Sequence, residues 1–130
     1  MSADDRLRET SRAAAILFLP AWAGVVGGEL GPPPTVLGAM SDKTMHFLAY
    51  LILSLLATIM LRAGWRALFA MIGLIAMGGA LEIIQGFVGR DADILDEFAN
   101  ARGALSGALI GWLVLAAVTG RLLVGRRGPN

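Results

Sequence analysis

The chain has 130 residues, of which 56% are hydrophobic and a further 17 are glycine. Soluble chains reach only about 45–50% when both classes are counted, and they carry about 25% charged residues, against 16% here. A water-soluble globule of this size has too much surface to hide so much apolar side chain, and a disordered chain would be poor in it. An integral membrane protein is what remains. The net charge of +1 shows no excess for a polyanion, so no nucleic-acid partner is expected. With no cysteine, disulfides, thiolate nucleophiles and thiolate metal sites are all absent.

In chain order, residues 1–12 form a polar arm of mixed sign, expected to lie in the cytoplasm. Four apolar stretches follow, with expected spans at about 13–30, 44–62, 67–87 and 98–121, inside a membrane domain over 13–124 and ahead of a tail at 125–130. Each is close to the ~17–25 residues a helix needs to cross a bilayer. No period-two alternation is present, so the expected fold is all-α: a bundle of about four transmembrane helices. The first stretch is the weakest, because it contains Pro20. Its rival reading is a signal peptide, with Arg6, Arg8 and Arg12 ahead of an Ala21-Trp22-Ala23 cleavage site. Acids mixed into the arm weigh against that, and removal would leave the outer loops unchanged.

The connection from Glu29 to Ser41 contains Gly31-Pro32-Pro33-Pro34, which reads as a stiff polyproline segment. Arg62-Ala63-Gly64-Trp65-Arg66 reads as a tight turn, with Trp65 suited to the interface. Basic residues divide unequally between the two sides. Arg6, Arg8, Arg12, Arg62, Arg66, Arg121, Arg126 and Arg127 fall on one side, and Lys43, Arg90 and Arg102 on the other. The more basic side stays in the cytoplasm, which places both termini there and turns residues 86–102 outward.

Gly103, Gly107 and Gly111 recur every four residues on the last span, a face for close helix approach. The partner of this face is open at this point: another helix of the chain, a second copy, or a larger membrane complex.

Polar residues gather at the outer ends of three spans, where charge is costly and marks function. Lys43, His46 and Tyr50 are spaced i, i+3, i+7 and follow Asp42, a candidate helix cap. Glu82 and Gln85 are i, i+3 on the third span. Asp93, Asp96 and Asn100 repeat i, i+3, i+7 into the fourth, with Arg90 ahead of them. Asp91 and Glu97 read as solvated, and Arg102 as reaching for headgroups. If the three faces converge, they form a pocket open to the outside. Lys43, His46 and Arg90 suit a phosphate or carboxylate. Glu82, Asp93 and Asp96 suit hydroxyls, amines or a divalent cation. One histidine cannot build a two-histidine iron or three-histidine zinc centre, so no metal site and no cofactor is assigned. A His46–Glu82 acid–base pair requires that the two touch. A proton path through Glu82 would need an ionisable group nearer the cytoplasm, and the inner halves of the spans hold none.

Asp42-Lys43-Thr44-Met45-His46-Phe47-Leu48-Ala49-Tyr50 resembles the D-K-x-x-H-F-x-x-Y signature of VanZ-like membrane proteins. Glu82-Ile83-Ile84-Gln85, Arg90, Asp93 to Asn100 and Gly103 resemble that family's second block, E-x-x-Q…R-x-x-D-x-x-D-x-x-A-N-x-x-G. The resemblance covers roughly residues 40–107. It implies a small multi-spanning protein acting on cell-envelope material at the outer face of the bacterial cytoplasmic membrane, in a family linked to teicoplanin resistance. It also implies that Asp42, Lys43, His46, Tyr50, Glu82, Gln85, Arg90, Asp93, Asp96 and Asn100 are the site. The expected ligand is an anionic lipid or lipid-linked precursor headgroup, among membrane lipids generally. The competing expectation is an accessory subunit that docks a larger complex, or a copy of itself, through its glycine faces.

Overall fold

The computed structural model describes residues 1–32, 41–89 and 92–120. They form four helices: α1 (Ala3–Leu30), α2 (Asp42–Met60), α3 (Gly64–Phe87) and α4 (Ile94–Val118). There is no strand among the described residues. All four helices are long and apolar enough to cross a membrane, which makes the chain a multi-pass, all-α membrane protein by length and composition. Arg90, Asp91, most of the proline segment and the tail arginines lie outside the described residues.

Local chemistry sets the helix ends. The arm is helical from Ala3, because Ser2 and Asp5 form a reciprocal capping box. Helix α1 also runs through Pro20 without ending. Asp42 is not the cap of α2. The Ser41 hydroxyl takes that role by accepting from the Thr44 amide at 3.3 Å, and Asp42 becomes the first helical residue, at the positive end of the dipole. Asp93 does cap α4, accepting from the Leu95 amide at 2.9 Å. Between α2 and α3 the chain turns through left-handed backbone at Arg62, Ala63 and Gly64. There the Arg66 guanidinium carbon lies 5.4 Å from the centre of the Trp65 ring.

The helices alternate in direction. At one end Arg6 of α1 donates to the Val118 carbonyl of α4, and Ala14, Ile59 and Leu115 pack together. Mid-bundle, Tyr50, Leu53, Ala57, Leu74 and Ala104 form the core, with Phe18, Ala21 and Val25 of α1 against it. The tightest contact is between α2 and α4. A methyl group added at Gly103 would strike the Phe47 carbonyl oxygen, and one at Gly107 the Leu51 carbonyl oxygen. At Gly111 it would stand 2.8 Å from Thr58 Cβ. The glycine stripe is therefore spent inside the chain, seating α4 on the backbone of α2. A subunit contact through the same stripe would first have to pull these helices apart.

Candidate functional site

The other end of the bundle gathers the carboxyl ends of α1 and α3 and the amino ends of α2 and α4. Helix α2 has 19 residues, so at 1.5 Å per residue it barely spans a ~30 Å hydrocarbon core. Its first turns therefore lie at the interface, and Lys43, His46 and Tyr50 step inward along one face. Lys43 is exposed, whereas His46 and Tyr50 are buried.

Two polar groupings result. On the outer rim, the Lys43 ammonium lies 2.8 Å from Asp93 Oδ2 and 3.4 Å from Asp96 Oδ1, tying α2 to the start of α4. The Asp93 amide donates to Glu82 Oε2 at 3.1 Å, which brings α3 into the same cluster. The neighbouring ammonium and the Leu95 amide hold the Asp93 carboxyl below its ordinary value of 3.8. Deeper, His46 Nδ1 lies 3.0 Å from Asn100 Oδ1. The Asn100 amide nitrogen donates to Glu97 Oε2 at 3.2 Å, which fixes its oxygen toward the imidazole. Nδ1 is then the protonated ring nitrogen. Glu29 Oε1 lies 3.7 Å from the same nitrogen, and Asp42 Oδ1 lies 3.9 Å from His46 Nε2. Gln85 donates to the Glu29 carbonyl oxygen at 2.8 Å, joining α3 to the end of α1.

Nine of the ten expected site residues thus meet at one end of the bundle, and the tenth, Arg90, lies outside the described residues. Their pairing differs from expectation in several ways. His46 engages Asn100 and lies beside Glu29, so a His46–Glu82 acid–base pair is not formed. His46 is 6% exposed and turned inward, which removes it from any anion grip at the surface. Asp96 is buried, and Glu97, which reads as solvated in the sequence, is half-buried as the partner of Asn100. Two contributors were not expected. Glu29 ends a charge-free stretch and reads as the start of a loop, yet it is buried against His46. Gly78 leaves the space that Glu97, Asn100 and Tyr50 occupy. A further regularity stands in the sequence: His46, Tyr50, Ser54 and Thr58 recur every four residues, and all are buried.

Beside this cluster, an open groove of about 450 Å³ runs between α2 and α4. Lys43 and Arg102 supply its charge, and Phe47, Leu95 and Phe98 its apolar surface. Among the described residues, buried acids outnumber cations in the interior of the cluster, so an anion fits this flank and not the centre.

Comparison of the chain with protein-family models, characterised proteins and solved structures finds no match in any of the three.

Proposed function

We propose that the chain is a VanZ-like protein of the bacterial cytoplasmic membrane whose outward end binds an anionic, lipid-linked cell-envelope headgroup. Both termini would lie in the cytoplasm, on the side richer in basic residues. The observation that carries this reading is the α2–α4 groove. Lys43 and Arg102 offer ammonium and guanidinium donors beside the aromatic and aliphatic surface of Phe47, Leu95 and Phe98. A phosphate at headgroup level and the first carbons of its chain need those two chemistries side by side. Asp93 and Asp96 hold Lys43 in place, and the free lone pairs of the half-exposed Asp93 carboxylate accept from hydroxyls or amines of the same headgroup. The two sequence blocks supply independent support, because their residues converge on this end of the bundle. A role in glycopeptide resistance follows from the resemblance alone.

The test is native mass spectrometry of the purified protein beside a Lys43→Ala/Arg102→Ala variant. A discrete phosphorylated envelope lipid retained by the parent and lost by the variant supports the reading. Bulk phospholipid alone in both samples overturns it.

A further inference from the structure

We propose that Asp42, His46 and Asp96 form a binding site for a first-row divalent cation of the Zn²⁺ or Mn²⁺ class, clamping α2 to α4. The proposal does not depend on the lipid reading. One ligand atom from each of the three residues can be chosen so that all lie within 4.8 Å of one another. Asp42 and His46 are one turn apart on α2, and Asp96 faces them from α4. Around a tetrahedral ion with bonds of about 2.0–2.1 Å, ligand atoms stand roughly 3.3 Å apart. The 3.9 Å between His46 Nε2 and Asp42 Oδ1 closes to that with a small rotation of the exposed Asp42 side chain.

The imidazole is the second, independent observation. His46 is more than nine-tenths buried. Its Nδ1 proton is committed to Asn100, whose amide is in turn set by Glu97. In the neutral ring Nε2 is then the lone pair, and no described residue donates a hydrogen bond to it. It lies 3.9 Å from Asp42 Oδ1, a carboxylate oxygen that cannot donate when ionised. Asp96 is 4% exposed, and its Oδ1 is buried with no hydrogen-bond partner among the described residues, so the site presents acceptors that a second proton on the imidazole or a cation between them would satisfy. Metal-bound imidazoles are held in this way, the remote N–H fixed by an outer oxygen and the near nitrogen presented to the ion. Lys43 pairs with Asp96 through Oδ1 at 3.4 Å, and the second oxygen of that carboxylate carries no ion pair among the described residues. One nitrogen and two carboxylate oxygens favour borderline ions over Mg²⁺ or Ca²⁺, which prefer oxygen alone. Three protein ligands leave a coordination position for water or a headgroup oxygen beside the exposed Asp42.

His46 is the chain's single histidine, so ¹⁵N-histidine NMR reads the site directly. The tag-free protein in detergent, stripped with EDTA, is titrated with Zn²⁺. The expected result is a shift of the Nε2 resonance that saturates at one equivalent while Nδ1 stays protonated. Asp42→Asn should weaken binding at least tenfold, and Asp5→Asn, at the opposite end of the bundle, should not weaken it. Unchanged imidazole resonances at tenfold excess Zn²⁺ would overturn the proposal, as would coordination through Nδ1 or equal affinity in Asp42→Asn. Asp42 is exposed on the first turn of α2, so its amide replacement keeps the fold. The parent spectrum stands as a test by itself.

Discussion

His46 Nδ1 and Asn100 Oδ1, 54 residues apart in sequence, meet at 3.0 Å in the interior and join α2 to α4 through their side chains. Asn100 is fully buried, so neither group has water as an alternative partner. Asn100→Ala should leave the imidazole N–H without its acceptor. Interhelical hydrogen bonds inside membranes contribute up to about 2 kcal/mol, and a loss of roughly that size is expected in detergent unfolding. Asn100→Asp, which keeps an acceptor, should recover part of it. An unchanged midpoint in Asn100→Ala would show that the pair adds nothing to stability.

The glycine stripe leads to a second prediction. At Gly107 an added Cβ meets the Leu51 carbonyl, which is backbone and cannot rotate away. Gly107→Ala should therefore separate α2 from α4 and cost about 1–3 kcal/mol, as overpacking does. At Gly24 of α1 an added methyl group would meet nothing within 4 Å, so Gly24→Ala should be neutral or slightly stabilising, because alanine is the better helix former. Comparable losses for the two variants would mean that the α2–α4 seat is not what these glycines provide.

Much of this was legible in the sequence. Charge-free stretches declare membrane helices because a bilayer tolerates little else, and the i, i+3, i+7 spacing put Lys43, His46 and Tyr50 on one face. The glycine repeat announced a close contact, but only three-dimensional packing shows that α2 fills it. Spacing within one helix cannot say which residue of another helix lies opposite, so the Asn100 partner of His46 was hidden, and Glu82 looked as good. Ser41 and Asp42 are both capping residues, and adjacent positions do not decide which one caps. Glu29 carried no signal, since its role depends on where α1 ends relative to α2. Glu97 was legible in principle, lying i, i+3 from Asn100, but a carboxylate near a helix start ordinarily faces water.

The Lys43–Asp93 pair makes the rim sensitive to acid. The ammonium holds the Asp93 carboxyl below 3.8, so the folded state binds that proton less readily than the unfolded chain does. Its stabilising contribution is complete above the unfolded carboxylate value of about 3.9. It is lost as pH falls through the lower, folded value. Acidification from pH 5 to pH 3 should thus loosen the α2–α4 rim, seen as faster hydrogen exchange at the Leu95 and Asp96 amides. Asp93→Asn should show fast exchange there already at pH 5, with a weaker response to acid. A parent protein whose exchange at these amides, corrected for intrinsic rates, is flat over this range would exclude the ion pair as a rim clamp.

Gly78 offers the sharpest test of the deeper cluster. A Cβ there would stand 2.6 Å from Glu97 Oε2, 2.8 Å from Asn100 Nδ2 and 3.1 Å from the Tyr50 hydroxyl. The carboxylate is the far end of a flexible side chain and can swing away, whereas Asn100 is buried and also bonded to His46. Gly78→Ala should therefore expel Glu97 first and break its bond to Asn100, at a cost of roughly 1–2 kcal/mol. Glu97→Ala alone should cost a similar amount, because it removes the same bond. The two changes act on one contact, so the double variant should lose clearly less than the sum of the single losses. Additive losses would mean that Gly78 and Glu97 act through separate contacts, and that the space at Gly78 is not kept for the carboxylate.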